Sequence, residues 1–196
     1  MTSEHSIDAA KRSLREDMRA RRRGLSALAR SEGAAAIAEQ ALDFAHPASG
    51  AVVAGYAAIR DELDPATLLV RLADAGHPIA LPVIAARGKP LRFHRWTPGA
   101  PLQPGEYAVP VPGADAPAVV PDILLVPLLA YDARGYRLGY GAGYYDRTIA
   151  ELRSERGVLA VGLAFDIQQV ENVPHDGYDE RLDWVLTPAG PSEIER

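Results

Sequence analysis

AVVAGYAAIRDELDPATLLVRLADAGHPIALPVI, residues Ala51 to Ile84, is the stretch that decides the fold. Its first nine residues, Ala51 to Ile59, form a continuous apolar run of strand length. In the RDELDP that follows, Asp64 is placed to cap a helix and Pro65 to be its first residue, and the helix is expected to end near Gly76. PIALPVI, Pro78 to Ile84, then reads as a second buried strand. Strand, helix and strand make a βαβ unit, so the two strands are parallel and the crossover is expected to be right-handed.

Towards the N-terminus, Ile7, Leu14, Met18 and Leu25 recur at helical spacing and mark one stripe of an amphipathic helix from about residue 6 to 24, ended by Gly24. Ser26 then caps a second, alanine-rich helix expected to run to about Ala45, with Pro47 beyond it. Towards the C-terminus, Ala85 to Pro121 reads as loops and short edge strands, LRFHRW being the clear strand in it. DILLVPLLAY (Asp122 to Tyr131) is the strongest buried strand, DARG a tight turn, and Tyr144 to Arg156 a helix. VLAVGLAF (Val158 to Phe165) and DWVLTP (Asp183 to Pro188) supply the last strands. Apolar strands alternating with helices define an α/β fold: three layers, a mostly parallel sheet with helices on both faces, preceded by an N-terminal helical hairpin. One domain is expected over 1–196, with the helices of 1–47 packed on it.

Composition bounds the function. With 47% hydrophobic residues and no run of about 18 apolar ones, the chain builds a sizeable core and offers no membrane span. The polar, charged start is unlike a signal peptide, so a cytoplasmic protein is expected. Zero cysteines exclude disulfides and thiolate chemistry, and the five histidines never fall at i, i+3 or i, i+4, so no zinc site is expected. The net charge is −5, yet Lys11, Arg12, Arg15, Arg19, Arg21, Arg22 and Arg23 crowd one segment. One basic helix in an acidic protein suits a single anionic ligand better than nucleic acid, which is not expected as a partner. An RNA-binding use of Arg19 to Arg23 stands as a competing reading.

RLGYGAGYYDR, Arg137 to Arg147, has the makings of a phosphate cradle. Backbone N–H groups can converge on an anion only where no Cβ intervenes, hence Gly139, Gly141 and Gly143, and the helix that follows adds N-terminal donors. The alternative is a plain glycine-rich turn between strand and helix. No GxxxxGK[ST] run exists, and a dinucleotide fingerprint fits badly, since GxGxG comes late in the chain and only Asp166 sits at a tolerable distance as the acidic partner. In such folds the ligand lies at the carboxyl ends of the strands, where both RDELD and the glycine segment fall.

These residues resemble the 5-formyltetrahydrofolate cyclo-ligase (5,10-methenyltetrahydrofolate synthetase) family over nearly the whole length. The marks are KRSLR (Lys11 to Arg15), RDELD (Arg60 to Asp64), DILLVPLLAYDARGYRLGYGAGYYDR (Asp122 to Arg147) and VPHDGYDERLDWVLTP (Val173 to Pro188), of which the third is the most specific. The resemblance implies ATP- and Mg²⁺-dependent cyclisation of 5-formyltetrahydrofolate to 5,10-methenyltetrahydrofolate, by phosphorylation of the formyl oxygen and closure by the nitrogen at position 10. A monomer is expected. The activation answers a real barrier: an N-formyl group is an amide, whose resonance is on the scale of the ~18–20 kcal/mol peptide rotation barrier.

By the same resemblance, Lys11, Arg12, Ser13, Leu14 and Arg15 are nucleotide contacts, as are Arg137, Leu138, Gly139, Tyr140, Gly141, Ala142, Gly143, Tyr144 and Tyr145. Ala57, Glu62 and Tyr140 to Tyr144 are folate contacts, and Asp146 and Asp179 the magnesium carboxylates. On spacing alone Lys11 and Arg15 share a helix flank with Arg22 near the line, which serves either a polyphosphate or a solvated face. Arg19 to Arg23 are read as the solvated face. Asp176, Glu180 and Asp183 are alternatives to Asp179, and one of Tyr144 and Tyr145 is expected to be a core residue. Two departures, Ala142 where the family often has Gly or Lys and a small Ala57, leave open a non-catalytic or altered-substrate paralogue that binds folate or nucleotide.

Overall fold

The computed structural model describes residues 2–195, with side chains from residue 6 onward; Met1 and Arg196 lie outside the described residues. Helices α1 (Thr2–Arg23), α2 (Ala27–Gln40), α3 (Ala66–Asp74) and α4 (Tyr144–Glu155) accompany twelve strands. In chain order these are β1 (Val53–Ala54), β2 (Ile79–Val83), β3 (Arg92–Arg95), β4 (Gln103–Pro104), β5 (Pro110–Val111), β6 (Ala118–Val119), β7 (Ile123–Pro127), β8 (Ala130–Tyr131), β9 (Arg137–Leu138), β10 (Leu159–Leu163), β11 (Trp184–Thr187) and β12 (Gly190–Glu193).

Eight strands form one sheet in the order β12-β11-β10-β7-β1-β2-β3-β6. Its centre, β11-β10-β7-β1-β2, is parallel throughout, and β3, β6 and β12 add antiparallel edges. The register places Val53 beside both Ile79 and Ile123. The chain leaves β1 towards β2 and later returns to β7 on the other side, so β1 and β7 flank the topological switch point, the position where open α/β sheets hold their ligands.

Alternation along the strands feeds two cores. Val53, Ile79, Ile123, Leu125, Val161 and Leu186 face α2 and α3, meeting Ile37, Leu68, Leu69 and Leu72. Ala54, Ala80, Leu124, Val126, Ala160 and Val185 face α4, meeting Ile149 and Leu152. Parallel strands covered on both faces carry continuous apolar runs for this reason. A third cluster sets Met18 of α1 against Leu129, Ala130, Leu138 and Val173, beyond the end of β7 and across the small β8–β9 ladder.

The local signals act largely as read. Ser26 Oγ accepts the Ala29 N–H at 3.1 Å and starts α2, and Asp64 Oδ1 accepts the Ala66 N–H at 2.9 Å at the start of α3. The apolar run 51–59 differs: only Val53 and Ala54 are strand, because the chain leaves the ladder after Gly55 to enter a loop held by its own polar groups. The second helix stops at Gln40 rather than Ala45, where Ala41 turns to φ +48° and Asp43–Ala45 form a separate 3₁₀ turn.

Candidate active site

Two loops meet at the switch point beneath α1. One, the acidic arch after β1, is closed from within: the Tyr56 hydroxyl donates to the Leu63 carbonyl at 2.6 Å, and Glu62 Oε2 accepts the Ile59 N–H at 2.8 Å. Glu62 is thereby buried, and burial pushes its carboxyl above the usual range against the pull of the Tyr140 hydroxyl and the Ile59 N–H. The phenols of Tyr56, Tyr140 and Tyr145 all feel the Glu62 charge, and each is pushed up, first by burial and then by that carboxylate. The Tyr140 hydroxyl has no hydrogen-bond partner meeting ordinary geometry, although its electrostatic neighbours are Glu62 and Arg22. Ala57 lies half-buried in the same arch.

The other is the glycine loop between β9 and α4. Gly141 (φ +103°) and Gly143 (φ +65°) take the left-handed backbone, and Ala142 between them does not. Alanine is therefore tolerated at 142, because the flanking glycines absorb both reversals. Gly143 is the N-cap of α4, so Tyr144, Tyr145 and Asp146 form its first turn. Tyr144 sits under Arg147 and Tyr145 beside Glu62; both are only partly buried, and both pack on the α4-side core.

One face of α1 spans the two loops. Arg15 Nε donates to the Gly139 carbonyl at 3.0 Å. Lys11, four residues earlier, is buried with Nζ 2.6 Å from Asp179 Oδ2 and 3.0 Å from Asp176 Oδ2. Burial alone would lower the Lys11 pKa, but these two hydrogen bonds outweigh it and raise it. Leu14 packs inward, whereas Arg12 and Ser13 are exposed, away from both loops' partners. Arg22 corrects its reading as a solvated residue: it is 2% exposed, and its guanidinium forks onto Asp61 while Nη1 donates to the Leu128 carbonyl. Arg19 is half-buried, 6.0 Å from the centroid of the Tyr140 ring; Arg21 and Arg23 are exposed. The signal was in the spacing, since Arg22 follows the buried Met18 by four residues and belongs to the inward stripe.

Arg137 organises the remaining carboxylates. Buried almost completely, its Nη2 holds Asp146 Oδ1 at 2.8 Å, its Nη1 donates to the Glu180 carbonyl, and it senses Asp179 as well. The Glu180 N–H closes on the same Asp146 oxygen at 3.2 Å. Glu180 and Asp183 are instead drawn to Arg153 of α4, at 2.8 and 2.9 Å. Asp132, fully buried in the tight turn, accepts the Arg134, Tyr136 and Val173 N–H groups and so fixes the segment leading to Asp176 and Asp179. Sequence reasoning had assigned no role to Asp132 or Asp61.

The fold and this geometry define a doubly wound α/β protein whose polar site, at the sheet's switch point, joins a glycine loop, a cationic helix face and a buried carboxylate. Residues 7–188 match the profile of the 5-formyltetrahydrofolate cyclo-ligase family, and the chain belongs to that family. It is 31% identical to a 5-formyltetrahydrofolate cyclo-ligase of Haemophilus influenzae over 86% of this chain and 92% of that one. It is 32% identical to the Escherichia coli cyclo-ligase over 88% and 97%. Among solved structures it is similar to the 5,10-methenyltetrahydrofolate synthetase of Aquifex aeolicus, with a TM-score of 0.75 and 27% identity over 95% and 93% of the two chains. Among the described residues no helix is long and apolar enough to cross a membrane.

Proposed function

We propose that this protein closes 5-formyltetrahydrofolate to 5,10-methenyltetrahydrofolate, consuming ATP and releasing ADP and phosphate. The observation that carries the reading is that one helix face brings the glycine loop and the buried Glu62 to the same switch point, so that two reactants are held side by side. Family membership supports the reaction class.

In this reading Lys11, Arg15 and the backbone of 139–143 hold the polyphosphate, with α4's first-turn N–H groups behind it. Glu62 accepts paired hydrogen bonds from the aminopyrimidine edge of the pterin, and the unpartnered Tyr140 hydroxyl turns to the same ligand. Bringing the γ-phosphorus to the formyl oxygen is mainly alignment and charge neutralisation. The phosphorylated oxygen then leaves as phosphate when the nitrogen at position 10 bonds to the formyl carbon and gives up its proton.

The residues present fit a magnesium ion. Asp146 and Asp179 each spend one oxygen on a cation, leaving Asp146 Oδ2 and Asp179 Oδ1 without hydrogen bonds among the described residues. Magnesium commonly takes one or two carboxylates and completes its shell with phosphate and water. Bound there, it would offset phosphate charge. Asp179 is preferred over Asp176, Glu180 and Asp183 by the family resemblance, and because Arg137, which holds Asp146, also feels its charge.

Neither competing reading gains support. Ala142, one of the two departures that left a paralogue open, sits on unstrained backbone, and the burial of Arg22 removes a cation from the RNA face. The test is the near-ultraviolet absorbance of the methenyl product on mixing protein, Mg-ATP and 5-formyltetrahydrofolate; a folded, ATP-binding protein that gives none overturns the proposal.

A further inference from the structure

We propose that Arg22 is a positioning residue for the folate side of the site, setting Glu62 through Asp61 and flanking Tyr140 directly, without touching substrate. The inference rests on the function proposed above. Arg22 stands on α1 seven residues beyond Arg15, on the same helix face. Its Nε reaches Asp61 Oδ2 at 3.0 Å and its Nη2 reaches Asp61 Oδ1 at 3.3 Å, a two-point fork that fixes direction as well as distance. Nη1 donates to the Leu128 carbonyl at 3.3 Å. One guanidinium thus ties the loop after β1 to the residue just past β7, across the switch point.

What the tie controls follows from the arch's other bonds. The hydrogen bonds of Tyr56, Glu62 and Asp64 to Leu63, Ile59 and Ala66 are local and shape the arch, while the Glu62 carboxyl also faces the Tyr140 hydroxyl. Asp61 is the arch side chain that bonds α1, and Glu62 is its chain neighbour. Arg22 lies 5.8 Å from the centroid of the Tyr140 ring, so the same group that orients the arch flanks the buried phenol of the glycine loop. Stability alone does not call for an arginine here. Buried ion pairs are commonly matched or bettered by apolar residues of similar size, whereas an apolar residue at 22 would leave the arch untethered.

The test compares the wild type with Arg22→Lys and Asp61→Asn, reading kcat, both KM values and melting temperature. Lysine keeps the charge and loses the fork. The expected result is a KM for 5-formyltetrahydrofolate raised about tenfold in both variants, with KM for ATP and kcat within about twofold, the signature of lost folate binding alone. A folate KM within about twofold of wild type in either folded variant overturns the proposal, as does a parallel rise of both KM values with a lowered melting temperature. If Arg22→Lys does not fold, Asp61→Asn decides. If the wild type itself forms no product, the proposed function fails separately, and calorimetric folate binding decides: a tenfold loss in the variants supports the role, and unchanged or absent binding overturns it.

Discussion

The two halves of the site are built on opposite principles. On the glycine-loop side three of the charged groups assigned a role already have partners: Lys11 with Asp176 and Asp179, Arg15 with Gly139, Arg137 with Asp146. On the arch side Glu62 is buried with a raised pKa, and Tyr140 holds a buried hydroxyl without a partner. The first half is ordered by ion pairs that a polyanion and its metal would have to share. The second is ordered by packing, by hydrogen bonds within the arch and by one remote guanidinium, and it leaves the Tyr140 hydroxyl for a ligand to satisfy. A preformed, unsatisfied pocket discriminates strongly, because a ligand lacking the matching groups leaves buried polar atoms stranded. A saturated ionic network discriminates less and depends on salt.

The sharpest way to break this contrast is Glu62→Gln. It is expected to cost about 100-fold in kcat/KM for folate, from the loss of charged hydrogen bonds worth ~1.5–3 kcal/mol each, while nucleotide binding stays unchanged by calorimetry. Asp146→Asn comes next, with a loss of about 10- to 100-fold at limiting Mg²⁺ that saturating Mg²⁺ largely restores; a magnesium-independent loss would move Asp146 into the purely structural network with Arg137. Gly141→Ala forces a side chain into φ +103°, which costs ~1–3 kcal/mol and should weaken ATP about tenfold without touching the folate KM. Ala142→Gly is the smallest, less than about threefold on any constant, since position 142 needs no glycine backbone.

The halves also separate by pH. Because burial raises the Glu62 pKa, folate kcat/KM should fall with acid at a pH above the ordinary glutamate value of ~4.3, and that limb should vanish in Glu62→Gln. For stability the same group works in reverse: ionised Glu62 burdens the fold above its unfolded pKa, and the burden lifts as pH drops through the folded value. Asp61 has the opposite sign. Burial would raise it, but Arg22 holds it low, so its contribution is present above an unfolded value of ~3.9 and is lost as pH falls through the depressed one. Melting curves of the wild type and Asp61→Asn across the acid range check the difference.

Much of the fold was legible. The βαβ at 51–84, the Ser26 cap and the α4 helix follow from short-range rules, because caps and apolar runs act within a few residues, whereas α3 starts one residue later than read, with Pro65 rather than Asp64 at its N-cap. The length of β1 was not, since whether residues 55–59 stay in the ladder depends on where Tyr56 and Glu62 find partners. In the site, Lys11, Arg15 and the glycines were legible by motif. The burial of Arg22 was not, because a charge run looks solvated until its partner is known, and Asp61 is 39 residues away. The pairing of Lys11 with Asp179 was hidden for the same reason.

That last pairing has a consequence for synthesis. Lys11 emerges early, yet its carboxylate partners come 165 and 168 residues later, and Arg15 waits 124 residues for Gly139. Such contacts have a high loop-closure cost and form late. On the ribosome the Lys11 turn of α1 must therefore stay without its carboxylate partners, open to other anions, until the segment holding Asp176 and Asp179 has been made. Catalytic competence is then the final property the polypeptide acquires, and α1 undocking would be the first way to lose it.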